Sequence, residues 1–148
     1  DQRIVSNASC TTNALAPLRL IQAIVPLMRE NGWGRIVNVS SMSGHRVPPS
    51  GGFYAPTKFA VRAITDSLRS ELKAIQSPIQ VACVSPGFVD TPLLDNYFRG
   101  REEMLSKTRA GMKMLQPEDV AHCIMTILTA PPHVEIGDIL LRSTDQMA

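Results

Sequence analysis

Aromatic side chains are scarce: Phe, Trp and Tyr make up 5% of the 148 residues, so the core must be mostly aliphatic. No apolar run approaches the roughly 18 residues that a membrane-crossing helix needs, and no leader-like pattern opens the chain. Blocks of like charge are missing too. The 15 Lys and Arg residues are scattered rather than striped against 13 Asp and Glu, which argues against nucleic acid as a main partner. The cysteines, Cys10, Cys83 and Cys123, are odd in number and far apart. That spacing argues against a disulfide framework and a zinc site, and for a reducing, cytoplasmic setting. His45, His122 and His133 bring no second ligand at metal spacing, so no metal is expected. Glycines are absent before Gly32, which rules out a glycine-rich phosphate-binding turn in the first part of the sequence.

What is present is ordinary globular material, 44% apolar and 19% charged, in a length that suits one unit over 1–148. The sequence opens at Asp1 without Met and runs at once into a strand-like segment, so a longer parent chain is expected. Leu15, Leu18, Ile21, Val25 and Met28 recur at three- and four-residue intervals and predict an amphipathic helix. Pro26 should kink or end its last turn. Arg35 to Ser40 reads as a strand, and 43–52, rich in Gly and Pro, as a loop. Phe59, Ala63, Ile64, Leu68, Leu72 and Ile75 then describe a long helix. Ile79 to Val84 is a second strand, stopped at Ser85-Pro86-Gly87. Residues 91–114 are helix-like, irregular and charged, as suits a mobile segment over a site. Pro117-Glu118-Asp119 opens a helix that stops before Pro131, and Ile136 to Leu141 is a last strand. Helix and strand alternate with short connections, which predicts an α/β fold with a parallel sheet covered by helices.

Tyr54 and Lys58 stand four apart at the start of the long helix, so both project from one face. A free tyrosine, with a pKa near ~10, is a poor acid–base at neutral pH, and a nearby ammonium favours its phenolate. Ser41, at the end of the preceding strand, could hydrogen-bond a substrate oxygen in the same space. A surface i,i+4 pair is the bland alternative for Tyr54 and Lys58, and a plain strand exit is the one for Pro86-Gly87.

Four segments carry a resemblance: GRIVNVSSMSG (34–44), YAPTKFAV (54–61), VACVSPGFVDTPL (81–93) and QPEDVA (116–121). From about Leu18 onward the sequence resembles the C-terminal half of the short-chain dehydrogenase/reductase family. The resemblance implies a partial Rossmann-like, doubly wound parallel sheet lacking the N-terminal dinucleotide-binding βαβ half. It implies NADP or NAD as cofactor, with the adenosine side of the site missing, and hydride transfer on an alcohol or ketone. It assigns the substrate oxygen to Ser41, proton exchange to Tyr54, and tuning of the tyrosine and nicotinamide ribose binding to Lys58. Asn13 then matches the family's proton-relay asparagine, although a helix cap explains it as well. Pro86, Gly87, Val89 and Thr91 match the segment that wraps the nicotinamide end. The family also pairs the helix before Ser41 and the Tyr54 helix between subunits, which implies a homo-oligomer. The ending PPHVEIGDILLRSTDQ looks like a subgroup including insect farnesol dehydrogenases, which suggests an apolar alcohol or ketone.

The first part reads differently. IVSNASCTTNALAPL (4–18) resembles the active-site segment of glyceraldehyde-3-phosphate dehydrogenase, with Cys10 at the position of its thiolate nucleophile. Ala14 replaces that motif's second cysteine and the later histidine motif is absent. A junction is expected near 13–18. Cys10 is then either a reactive thiol or a small residue at a helix start, and the chain either a working oxidoreductase or an inactive fragment or chimera keeping only the pairing surface.

Overall fold

The computed structural model describes residues 15–49 and 52–146. Helix α1 spans Leu15–Glu30, strand β1 Arg35–Val39, helix α2 Tyr54–Ala74 and strand β2 Gln80–Pro86. Two further helices, α3 (Pro92–Tyr97) and α4 (Glu102–Gly111), precede α5 (Pro117–Thr129) and strand β3 (Asp138–Leu141). The strands form one parallel sheet in the order β1-β2-β3, with Ile36 beside Val81 and Val84 beside Ile139. This is the α/β arrangement with helical crossovers that the alternating pattern predicts.

Alternation along β1 and β2 splits the core into two layers, because successive side chains point to opposite faces. On one face Ile36 and Val81 meet Met28, Leu72 and Ile79, with Ile24, Val25 and Leu68 packed alongside. On the other Val37, Ala82 and Val84 meet Ile127 of α5, together with Val120, Cys123 and Ile124. A third cluster, Leu94, Phe98, Leu105 and Met114, lies under α3 and α4, away from the sheet. The segment over 91–114 therefore folds as two helices around a small core of its own.

Some boundaries and faces differ from expectation. The first helix continues past Pro26 to Glu30, and β2 continues through Ser85 to Pro86. Leu18, Phe59 and Ile75 are exposed rather than core. The sheet-facing side of α2 instead carries Ala55, Lys58, Val61, Thr65 and Leu72. Two polar groups there are satisfied inside the layer: Asn38 Nδ2 donates to Thr65 Oγ1 at 2.9 Å, and Thr65 Oγ1 donates to the Val61 carbonyl at 2.7 Å.

Arg35 is buried at the start of β1. Its guanidinium donates to the carbonyls of Ile127, Leu128, Ala130 and Pro131, where α5 ends. Ile127 O also accepts from Ala130 N at 3.4 Å, and the carbonyls at this end carry the negative end of the helix dipole, so one cation caps the helix and ties it to the strand. At the other end of α5, the Gln116 backbone N–H donates to Asp119 Oδ2 at 2.7 Å, which supports the expected Pro117-Glu118-Asp119 opening.

Candidate active site

The C-terminal ends of β1 and β2 hold two walls of one cavity. Past β1, Ser40 N donates to the Val84 carbonyl at 2.8 Å, carrying the pairing one residue further. Ser40 Oγ then donates to the Lys58 carbonyl at 2.9 Å, which fastens the strand exit to α2. A 3₁₀ turn, Met42–Gly44, follows. Gly44 lets it press on α2, because a Cβ there would lie 2.5 Å from Ser40 Oγ and 2.9 Å from the Lys58 carbonyl oxygen. Ser41 caps this turn in an extended conformation, its Oγ accepting from Ser43 N at 3.1 Å.

Tyr54 is the first residue of α2, and Thr57 Oγ1 donates to its carbonyl at 2.7 Å. The Tyr54 ring meets Tyr97 edge to face, with centroids 5.7 Å apart. One turn on, the Lys58 side chain is buried, its Nζ donating to the Val39 carbonyl at 3.1 Å and lying 5.7 Å from the Tyr54 ring centroid. The surface-pair alternative thus gives way to a cation held within the fold against the ring.

The second wall follows β2. Gly87 N donates to the Leu141 carbonyl at 2.8 Å, and the chain then pairs with the segment before α5 through Val89 and Leu115. Thr91 leads into α3. Together the walls and the α3–α4 pair enclose a cavity of about 360 Å³. Ser41, Tyr54, Gly87, Val89 and Thr91 all line it, while Lys58 and Pro86 are buried and are not on its wall. Asn13 and Cys10 lie outside the described residues, so the relay and thiol readings have no geometry here. Much of the remaining lining is apolar and was not foreseen, including Phe88, Leu94, Tyr97, Phe98 and Met112. Gln146 was also missed, since a single amide near the end of the sequence belongs to no periodic pattern.

Other groups near the turn are structural. Cys83 is buried in β2, and burial pushes its thiol above the usual range, which suits an inert core residue. His45 Nε2 lies 3.8 Å from Asp138 Oδ2, which Arg62 also contacts at 3.3 Å. Burial, then the Arg62 charge, lower the imidazole below its ordinary 6.5, and Asp138 opposes them less strongly. The unfolded chain therefore takes up this proton first as pH falls, so stability is full above about 6.5 and declines below it. The thermal midpoint should be lower at about pH 5.5 than at about pH 7.5, and His45→Asn should flatten that slope. Among the described residues no group of His, Cys, Asp and Glu could hold a metal ion, and no helix is long and apolar enough to cross a membrane.

A parallel sheet whose strand ends carry a Ser turn, a Tyr–Lys helix and a Pro-Gly exit defines a class, and comparison with known proteins gives the same one. The family model described as short chain dehydrogenase matches residues 4–102, and the chain belongs to that family. The match takes in residues 4–18 and so gives no support to the resemblance of that stretch to glyceraldehyde-3-phosphate dehydrogenase.

Among individual proteins, the chain is 46% identical over 116 residues to Dehydrogenase/reductase SDR family member 11 of Bos taurus, covering 77% of this chain and 46% of that one. It is 34% identical over 130 residues to an uncharacterized oxidoreductase of Staphylococcus aureus, covering 88% of this chain and 51% of the other. The chain spans about half the length of the curated relatives it matches. Among solved structures, the closed form of serine dehydrogenase complexed with NADP+ superimposes with a TM-score of 0.81 at 29% identity, covering 88% of this chain and 52% of that one.

Proposed function

We propose that the chain carries the nicotinamide-side catalytic region of an NAD(P)-dependent oxidoreductase acting on an alcohol or ketone. The observation that carries this reading is the meeting of Ser41 and Tyr54 on one cavity whose far wall is Gly87, Val89 and Thr91. That far wall bears no charged side chain and suits a flat ring. A nicotinamide held there, with NADP or NAD as the parent cofactor, would supply or accept a hydride. Residues of the chain do the rest. The Ser41 hydroxyl donates a hydrogen bond to the substrate oxygen and fixes its place. Tyr54 gives that oxygen its proton in reduction and takes it back in oxidation. Lys58, with its ammonium anchored to the Val39 carbonyl, favours the ionised tyrosine and keeps its charge against the ring.

The apolar lining favours an apolar alcohol or ketone. Exposed Leu20 and Leu27, seven apart on α1, together with Phe59 on α2, support self-association through these helices. The test is nicotinamide-linked turnover, followed at 340 nm with NADH and NADPH against a series of apolar ketones. Ser41→Ala should lower kcat/KM by about 10²-fold, the usual effect of losing one donor to a reacting oxygen. Parent-like rates in that variant would remove Ser41 from the site.

A further inference from the structure

Gln146 lies at the end of the described chain, yet the residue is only 8% exposed and lines the cavity. Its Oε1 accepts from the Phe88 amide at 2.9 Å, and its Nε2 lies 3.3 Å from Met42 Sδ. Phe88 belongs to the wall that follows β2, and Met42 belongs to the turn capped by Ser41. One carboxamide therefore touches both walls. The fit is close: a Cβ on Gly87 would lie 2.2 Å from Gln146 Oε1. The Gln146 backbone is itself fixed, since its amide donates to the Ser143 carbonyl at 3.1 Å, while neighbouring Asp145 accepts from Lys113 N at 3.0 Å. A buried amide that satisfies a turn's free N–H costs little to keep and leaves that N–H orphaned when removed.

We propose that Gln146 is a positioning residue of this site, setting the gap between the Gly87–Phe88 wall and the Ser41 turn. It touches neither proton nor hydride in the reaction; it holds the wall against which the nicotinamide lies. This rests on the redox reading of the cavity given above. It also explains the glycine at 87, since the space beside its α-carbon is taken by the Gln146 carboxamide.

The experiment compares the parent with Gln146→Leu and Gln146→Glu, the second keeping an acceptor at the same reach. Two quantities are read: amide hydrogen exchange at Phe88 relative to Val81 and Val84, and KM for NADH and NADPH against kcat. In the leucine variant, Phe88 exchange and the cofactor KM should each rise about tenfold, the loss of one buried hydrogen bond, with kcat changed far less. The glutamate variant should return both towards the parent. Should the leucine variant not fold, Gln146→Asn, one methylene too short to reach Phe88, gives the same contrast. Unchanged Phe88 exchange overturns the clamp, and faster exchange with an unchanged KM overturns its role in the site. A parent that neither binds nor turns over NADH or NADPH defeats the redox reading itself, before any variant is made, and the positioning role falls with it.

Discussion

Tyr54→Phe should reduce nicotinamide-linked turnover by about 10²- to 10⁴-fold, the range over which a positioned proton donor contributes. The substitution removes one oxygen and keeps the ring, so the edge-to-face contact with Tyr97 and the Lys58 ammonium near the ring are preserved. The thermal midpoint should therefore stay close to the parent's, which separates lost chemistry from lost fold. The loss should fall on kcat more than on the ketone KM, because the hydroxyl matters most where the proton moves. Rates equal to the parent's would show that the proton comes from elsewhere and that the Tyr54–Lys58 pair serves only packing.

Arg35→Ala should be the most damaging single change to stability, at about 3–4 kcal/mol, since it removes charge-assisted hydrogen bonds and the cap of α5 together. For a chain of this size that amounts to a drop of roughly 10 °C in thermal midpoint, readable by calorimetry. Arg35→Lys should recover only part of it, because an ammonium cannot fork across the Ile127, Leu128, Ala130 and Pro131 carbonyls as a guanidinium does. A loss below about 1 kcal/mol in the alanine variant would mean that water satisfies those carbonyls as well as the arginine does.

Much of this was legible in the residues. The β-branched run after Gly34, the run before Pro86 and the Pro117 helix opening each use local chemistry, and each lies where expected within a residue or two. Ser41, Tyr54 and Gly87 could be brought to one place because strands in a parallel sheet end on the same side. Arg35 was read only as the start of a strand, because its partners lie more than ninety positions away in sequence. Lys58 and Thr65 escaped the periodicity argument for α2 because that argument follows apolar residues, and the sheet-facing side mixes in polar ones that find partners there. Phe59 and Ile75 misled it for the converse reason, as apolar residues left facing outward. The Gln146 contact depends on where the tail after β3 turns back, which no local pattern specifies.

The separate apolar cluster beneath α3 and α4 has a consequence for how such a scaffold diversifies. Leu94, Phe98, Leu105 and Met114 form one cluster, with Phe88, Tyr97 and Met112 packed against it, so this flap resembles a jaw clipped to a fixed anvil. Tyr97 of α3 packs on the Tyr54 ring and couples α3 to the reactive end, whereas substitutions on the α4 side, at Met104 or Thr108, can reshape which molecules fit. New selectivity can then arise there without renegotiating the reactive end.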